Sequence, residues 1–369
     1  MKTKLSIFNF QLSTLLLALL FALSGCSDND NLDNKAPESF TTRYRGTNMY
    51  TSTYVPEEDI DRLGGWNVNL VRWWLHWAIE DNAPWEVYRQ GIVAQCERLD
   101  GSLDALRRNG IKVCLTMGTY PGGILPGHQN RMFFEIPRQD EFVQTWEYVA
   151  EHYKDEETVV MYDLMNEPYS ANMPDMAGLL TKDELFLKTV RAIRALGDDT
   201  EIVYEGEAVE GALKWFTPFD EPGIIYSAHV YYPHALTHQA LAADLTPTVS
   251  YPGVIGNSYW DSEKLRDHYR DVKRFADDNH VRIFVGEFGC VNWAPNNSAY
   301  HYLKDCIEFF EDEGWDYTYF GYTPKCTTNY GATAWSAQHD TLHYAGPCPL
   351  DRETDRLTLL KSFWAKNKE

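Results

Sequence analysis

The sequence has 369 residues and a formal net charge of −21 at pH 7, from 54 acidic and 33 basic side chains. This balance argues against a nucleic-acid partner, because binding to phosphates needs clustered Lys and Arg. The length is large for one compact domain but normal for an α/β barrel, and no His and Cys spacing typical of a metal site is present.

The N-terminus predicts export with a lipid anchor. Two lysines precede an uncharged, Leu-rich run over residues 12–23, which is too short to span a bilayer comfortably. The following Leu-Ser-Gly-Cys, ending at Cys26, resembles a bacterial lipobox, although an ordinary signal peptide with a chance cysteine is the alternative. We therefore expect a lipoprotein signal peptide over residues 1–25 and a lipidated Cys26 with a flexible tether over 26–40. The protein would then meet the outer membrane or cell surface only through its lipid.

Residues 41–369 predict one (β/α)₈ barrel, the TIM-barrel fold. Short β-rich runs alternate with helical patterns, which is typical of repeated βα units and a parallel sheet. The strands are almost continuously hydrophobic, as expected when both faces are buried. Eight strands are predicted near Tyr44–Tyr50, Asn67–Leu75, Ile111–Met117, Val159–Met165, Glu201–Glu205, Ile224–Tyr231, Arg282–Phe288 and Tyr317–Tyr322.

Apolar residues spaced i, i+3, i+4 and i+7 predict helices between the strands. Such patterns cover residues 142–153, 265–275, 303–310 and 357–364. The pattern over 265–275 is interpreted as a single helix. Long connections after strands three, six and eight are expected to build the active-site face. Cys96, Cys114 and Cys306 lie in apolar patterns and predict buried thiols. Cys326 and Cys348 flank a loop-rich stretch and are equally compatible with a disulfide and with two thiols.

Two strands deliver a carboxylate at their ends. Strand four ends in Asn166-Glu167 and is stopped by Pro168, which cannot donate to a sheet. Strand seven ends in Gly286-Glu287. Because the strands of a parallel barrel all open at the same mouth, Glu167 and Glu287 are expected to face each other there. Two opposed carboxylates are what glycoside hydrolysis requires: one protonates the leaving oxygen, and the other attacks the anomeric carbon or activates water.

Polar side chains of strands two and six are predicted to serve this pair. Arg72 lies inside an apolar strand, and a buried Arg needs an acidic partner. His229 and Tyr231 lie on the same side of strand six. Arg72 and the Tyr231 hydroxyl near Glu287 would keep it ionised, whereas Glu167, which lacks such a partner, would hold its proton. Glu205 and Glu207, after strand five, are interpreted as scaffold or rim charges.

These segments together resemble glycoside hydrolase family 5, from Arg45 to about Asp340. The resemblance implies that Glu167 is the acid/base and Glu287 the nucleophile of a retaining reaction, with no cofactor. It also implies that Asn166 binds the sugar 2-hydroxyl. The implied substrate is a β-1,4-glucan or β-mannan, and a monomer is expected. His229 and Tyr231 would position substrate and nucleophile, and Arg72 would hold Glu287 charged.

Two departures from the family pattern leave the substrate open. Gly118 stands where the family usually has a His at the end of strand three, and His128 in the following loop is a candidate replacement. Tyr322 stands where the family has a Trp under the reacting sugar, and Trp335 could fold back as a substitute. Trp73 and Trp74 are interpreted as packing residues.

The sequence is compatible with three functions. Besides the retaining hydrolase, the sequence allows an enzyme of the same mechanism acting on an unusual or decorated glycan, and a non-catalytic glycan-binding lipoprotein on the same barrel. Carboxyl groups about 5–5.5 Å apart would favour retention, against about 6.5–9.5 Å for inversion. Loop shape, which decides between endo and exo action, is not determined by these patterns.

Overall fold

A computed structural model describes residues 42–50, 54–126, 129–170, 172–206, 216–241, 245–322, 332–338 and 353–369. Eight parallel strands form a closed barrel in which each strand pairs with its neighbours in chain order. This confirms the predicted (β/α)₈ architecture and all eight predicted strand positions. The strands are β1 (Arg45–Met49), β2 (Leu70–Leu75), β3 (Lys112–Met117), β4 (Val159–Asp163), β5 (Glu201–Glu205), β6 (Ile224–Val230), β7 (Ile283–Phe288) and β8 (Asp316–Tyr322).

Helices pack around the barrel and follow the strands in sequence. Two short hairpins, one formed by Ile124–Leu125 with Gln129–Asn130 and one by Gly253–Ile255 with Ser258–Trp260, lie in the loops after β3 and β6. Within the described ranges, no helix is long and apolar enough to cross a membrane. The helices are α1 (Glu57–Gly65), α2 (Trp85–Asp100), α3 (Leu103–Arg108), α4 (Ile136–Tyr153), α5 (Lys182–Ala195), α6 (His234–Thr237), α7 (Ser262–His268), α8 (Arg270–Asn279), α9 (Ser298–Glu313), α10 (Ala332–Trp335) and α11 (Asp355–Trp364).

One predicted helix is divided in the structure. The apolar pattern over residues 265–275 predicted a single helix, but α7 ends at His268 and α8 begins at Arg270. Tyr269, between them, is buried, and its hydroxyl accepts a hydrogen bond from the backbone N–H of Tyr232 at 3.2 Å. The periodic pattern continues through the break because both helices bury the same face against the barrel.

The barrel interior has an apolar lower layer and a polar upper layer. The lower layer is a separate buried cluster that fills the barrel between the strands. Its members are Tyr44, Leu70, Cys114, Met161, Val203, Ile225 and Phe284. Because residues i and i+2 of a strand share a face, the next inward positions lie directly above this layer, toward the C-terminal mouth. These positions carry the polar residues described below.

The thiols predicted to be buried are buried and free. Cys96, Cys114 and Cys306 are all unpaired, as is Cys290. Cys326 and Cys348, like Cys26, lie outside the described residues.

Candidate active site

Arg72 occupies the centre of the polar layer. Its side chain is fully buried in β2, and its guanidinium nitrogens donate hydrogen bonds of 2.7–3.1 Å to oxygens from several strand ends. A buried guanidinium is stable only with such partners, because each unpaired charge in the interior is costly. The acceptors are Asn48, Thr116, Asp163, Asn166, Glu205 and Glu287.

Glu287 is held by two donors. Its Oε1 accepts from Arg72 Nη1 at 2.8 Å, and its Oε2 accepts from the Tyr231 hydroxyl at 3.0 Å. Burial and the charge of Glu287 raise the pKa of Tyr231 well above its usual value, so this hydroxyl remains a donor. Burial also raises the pKa of Glu287 itself, against the lowering effect of His229 and Arg72. Both carboxylate oxygens are thus fixed in direction.

Glu167 has a partner, contrary to the expectation from the sequence. His229 Nδ1 lies 2.7 Å from Glu167 Oε1, and His229 Nε2 lies 3.0 Å from Glu205 Oε1. Burial alone would lower the pKa of His229, but the two carboxylates Glu205 and Glu287 raise it well above its usual value. Enclosure in the cleft would raise the pKa of Glu167, yet the hydrogen bond and charge of His229 lower it.

Glu205 is a buried member of this network, which fits the scaffold role predicted for it and not a place on the rim. Its side chain is fully buried, and its Oε2 accepts the backbone N–H of Glu167 at 2.6 Å. Glu167 itself has a φ of 42°, a left-handed conformation that a non-glycine residue rarely adopts and that is frequent at functional sites. The sequence signal for Glu205 was the same as for Glu287, an acidic residue ending an apolar strand. Glu207 lies outside the described residues.

The two candidate catalytic carboxylates are close together. Glu167, His229 and Glu287 each offer one oxygen or nitrogen atom, and these atoms all lie within 4.8 Å of one another. In the described part of the chain, this is also the one group of His and carboxylate atoms spaced for a metal ion. However, a protonated His229 donates from both nitrogens and has no lone pair for a metal. The spacing instead matches the short carboxylate separation of retaining glycosidases.

Asp163 is a further acidic residue of the polar layer, and its pKa is raised. Its Oδ2 accepts from Arg72 Nε at 2.8 Å and Nη2 at 2.7 Å, while its buried Oδ1 has no hydrogen-bond partner. Burial and the neighbouring charge of Glu205 raise the pKa of Asp163 to about 7.

Asp163 is expected to make stability fall as pH rises from about 4 to about 7. In the unfolded chain the group ionises near its ordinary pKa of about 3.9, so between these values the folded state binds more protons than the unfolded state. Asp163→Asn removes this group, and its midpoint of urea unfolding should fall less steeply over that range than that of the wild type. Equal slopes for the two proteins would contradict the raised pKa.

Asn166 presents a free donor to the cleft. Its Oδ1 accepts from Arg72 Nη2 at 2.7 Å, which fixes the amide orientation, and its backbone carbonyl accepts from the Tyr120 hydroxyl at 2.8 Å. The Nδ2 group has no hydrogen-bond partner among the described residues. It therefore has two N–H donors available for a substrate hydroxyl.

Tyr322 does not lie under the carboxylates, contrary to the prediction from the family pattern. Its hydroxyl donates to Asp59 Oδ1 at 2.6 Å, and its ring packs edge-on against Trp66 at 5.9 Å between centroids, both in or beside α1 outside the barrel. The aromatic residue of β8 that faces inward is Phe320, which packs against Tyr50 at 5.8 Å. The strand leaves its regular alternation after Phe320, which a pattern of residues cannot show.

Trp335 lies beside the site. Its Nε1 donates to the Thr237 carbonyl at 3.0 Å, and its ring centroid lies 6.3 Å from that of Tyr231 and 5.9 Å from that of Phe320. The fold thus brings this residue, distant in sequence from β6, next to the tyrosine that contacts Glu287. His128, the candidate replacement for a histidine at Gly118, lies outside the described residues.

Comparisons with known proteins agree on the fold and family of this site. The model of the cellulase family, glycosyl hydrolase family 5, matches residues 34–325. Endoglucanase C of Acetivibrio thermocellus is 25% identical over 290 residues, which span 70% of this chain and 81% of that protein. A solved glycoside hydrolase superposes with a TM-score of 0.64 at 24% identity, covering 87% of this chain and 99% of its own. Cel5A of Thermotoga maritima in complex with mannotriose superposes with a TM-score of 0.62 at 21% identity, covering 86% and 97%.

Proposed function

Because this chain belongs to glycosyl hydrolase family 5, the cellulase family, we propose that it cleaves β-glucans with net retention, using Glu167 as acid/base and Glu287 as nucleophile. The observation that carries the proposal is the placement of carboxylate oxygens of both residues within 4.8 Å of each other at the barrel mouth. Oxygens within 4.8 Å support the short separation of retaining enzymes, about 5–5.5 Å, over the about 6.5–9.5 Å that leaves room for the water of inversion.

In the first step Glu287 attacks the anomeric carbon while Glu167 gives its proton to the leaving oxygen. The hydrogen bonds from Arg72 and Tyr231 fix the direction of the Glu287 carboxylate before the attack. The charge of Glu167 raises the pKa of Glu287, while the raised pKa of His229 keeps a proton on its ring, 2.7 Å from Glu167 Oε1. Transfer of this shared proton to Glu167 supplies the acid of the first step. The bond to the leaving oxygen breaks, and a covalent glycosyl-enzyme forms.

In the second step a water molecule replaces the leaving group. Glu167, now a carboxylate, takes a proton from this water, whose oxygen attacks the anomeric carbon and releases Glu287. His229 supports the anionic form of Glu167 through its hydrogen bond at 2.7 Å. The two inversions at the same carbon give net retention. The free Nδ2 of Asn166 is proposed to bind the 2-hydroxyl of the sugar through both steps.

The proposed substrate rests on the relatives. Endoglucanase C of Acetivibrio thermocellus and cellodextrinase A of Ruminococcus flavefaciens are names of enzymes that act on β-glucans, and this favours a β-1,4-glucan. A β-mannan is the second candidate because Cel5A of Thermotoga maritima has been solved with mannotriose.

The test is sugar release by the purified chain from residue 27 onwards against a panel of β-glucans, β-mannans and xylans. We expect cleavage of a β-glucan, with product anomers that initially keep the β configuration by NMR. Binding of a glycan without any cleavage, equal in the wild type and in carboxylate variants, would establish the glycan-binding lipoprotein instead.

The proposal also includes export and lipid anchoring at Cys26. It is supported by the lipobox-like run in the sequence and by the polymeric substrate, which a cell must cleave outside. Cells expressing the wild type should incorporate labelled palmitate into the protein and retain it in the membrane fraction. Cys26→Ser should lose the label and appear in the soluble fraction. Equal labelling of both proteins would place the lipid elsewhere or exclude it.

A further inference from the structure

The inward row of β2 rises from the polar layer to the rim of the cleft. Arg72 and Trp74 are spaced two residues apart in β2 and therefore point to the same side of the strand, and His76 follows directly after the strand ends. Arg72 is fully buried, Trp74 is 6% exposed and His76 is half-buried. Trp73, between them, points outward instead, where its ring lies under the Arg98 guanidinium at 4.7 Å. The two adjacent tryptophans thus have different surroundings.

The Trp74 ring occupies the space beside Gly118 in which any other residue at position 118 would place its side chain. A Cβ added to Gly118, just after β3, would lie 2.6 Å from Cε3 and 3.0 Å from Cζ3 of the Trp74 ring. Real side chains do not approach so closely, so a side chain at position 118 would force the indole of Trp74 to shift. The side chain that lines this part of the cleft is therefore Trp74 of β2. It can lie there because residue 118 is a glycine.

Hydrogen bonds connect the Trp74 indole to Asn48, and through Asn48 to the backbone next to Glu287. Its Nε1 donates to Asn48 Oδ1 at 3.0 Å, and the same oxygen accepts from Arg72 Nη1 at 3.1 Å. Asn48 in turn donates from Nδ2 to the carbonyl of Gly286, the residue before Glu287, at 2.9 Å. The Arg72 guanidinium lies over the Trp74 ring at 5.0 Å from its centroid. Because the only polar atom of the side chain is already paired, the small part of Trp74 that remains exposed is apolar.

Trp74 forms the centre of an aromatic wall. Tyr50 packs edge-on against it at 4.9 Å between ring centroids, and Phe320 does so at 6.3 Å. These three residues come from β2, the end of β1, and β8. The acid/base candidate Glu167 and its partner His229 come from β4 and β6, on the other side of the barrel mouth.

The geometry points to Trp74, admitted by Gly118, as a specificity-determining residue that selects glucose-type over mannose-type sugars at the cleavage point. A β-glucose ring carries its hydroxyls equatorially, so its faces consist of C–H groups that pack on aromatic rings. In mannose the 2-hydroxyl is axial, so it would leave the equatorial direction in which Asn166 Nδ2 is proposed to bind it. It would instead turn toward the apolar ring of Trp74 and lose its hydration. This inference rests on the proposed glycosidase function and assigns its substrate selection to one side chain.

The test compares kcat/KM for cellotetraose and mannotetraose in the wild type and Trp74→Phe. The smaller phenyl ring leaves space and frees the Asn48 oxygen, so the preference for cellotetraose should fall about tenfold. Trp73→Phe is the matched control, because its ring faces outward, and it should keep the wild-type preference. An unchanged preference in Trp74→Phe overturns the inference, even if Trp74→Phe melts at a lower temperature.

A second variant tests the steric pairing. Gly118→Ala should lower kcat/KM for cellotetraose about tenfold in the wild type, because the new methyl group displaces the indole. In the Trp74→Phe background the same change should cost less than about threefold, since coupled neighbours are not additive. Additive losses would overturn the pairing.

The proposed function and this inference fail separately. If the wild type cleaves neither oligosaccharide, the glycosidase proposal fails. In that case the affinities for the same two oligosaccharides are measured in Glu287→Gln and in the double variant that adds Trp74→Phe. An equal preference for cellotetraose over mannotetraose in both variants would overturn the assignment of Trp74.

Discussion

Glu287→Gln is expected to lower kcat on a β-glucan by about four orders of magnitude or more. The amide has the size of the carboxylate, and its oxygen can still accept the hydrogen bond from Arg72 Nη1. In the wild type, this nitrogen lies 2.8 Å from Glu287 Oε1. The amide cannot, however, form the ester to the anomeric carbon. Because the covalent step has no alternative nucleophile in the proposed mechanism, the loss should appear in kcat for every substrate, whatever its leaving group. The measurement is the steady-state rate on a polymer and on an aryl glycoside.

Glu167→Ala is expected to separate the two carboxylates by role. Loss of the acid should nearly abolish cleavage of a glucan, whose alcohol leaving group needs a proton, but should spare glycosyl-enzyme formation from an aryl glycoside with a good leaving group. Azide, which needs no general base, should then attack the accumulated intermediate and give a glycosyl azide of retained configuration. If azide instead yields the inverted product with Glu167→Ala, the two roles are exchanged.

A matched control lies on the same barrel. Glu201 begins β5, at the end opposite the cleft, and pairs with Arg282 at 2.9 Å. Glu201→Gln therefore changes a partly buried ion pair of the barrel without touching the cleft, and its kcat should stay within about threefold of the wild type. A comparable loss in Glu201→Gln would show that the effects of the other variants come from the fold.

The sequence was sufficient to predict the fold and to nominate Glu167 and Glu287 together. Parallel strands all end at one rim, so two acidic strand ends far apart in sequence are expected to meet, and periodicity places them on strands. The surroundings of each carboxylate were not predictable in this way. His229 was expected, with Tyr231, to position substrate and nucleophile. That its two ring nitrogens bridge Glu167 and Glu205 depends on distances across the barrel, which the sequence does not give.

Residues near strand ends were the other source of error. Tyr322 was assigned to the cleft by counting along β8, yet Phe320 is the residue that faces inward there. Alternation holds only where the register is regular, and β8 shifts its register against β1 between Tyr319, which pairs with Thr47, and Tyr322, which pairs with Met49. Trp74 was interpreted as packing, and it is buried in the hydrophobic core with 6% exposure. Its proposed role in the cleft depends on its approach to Gly118, which the sequence pattern does not show. Its neighbour Trp73 shows that adjacent residues of the same type can have different roles.

Arg72→Met is expected to lower the free energy of unfolding by about 3–5 kcal/mol and to abolish measurable turnover. Arg72 pairs with Asp163, Glu205 and Glu287 at 2.7, 3.0 and 2.8 Å, and its side chain is completely buried. Methionine has a similar volume and fills the space, so the loss comes from the unpaired buried carboxylates rather than from a cavity. Urea unfolding at pH 7 measures it.

Two further variants show whether charge pairing is the cause. Adding Asp163→Asn to Arg72→Met removes one of the unpaired carboxylates, so part of the lost stability should return, which packing alone would not produce. Arg108→Met is the matched control, because Arg108 pairs with Glu57 and Asp61 at the surface with 52% of its side chain exposed. Exposed pairs contribute about 1 kcal/mol or less. Equal losses for Arg72→Met and Arg108→Met would show that the central cation does not hold the carboxylates of the barrel mouth in place.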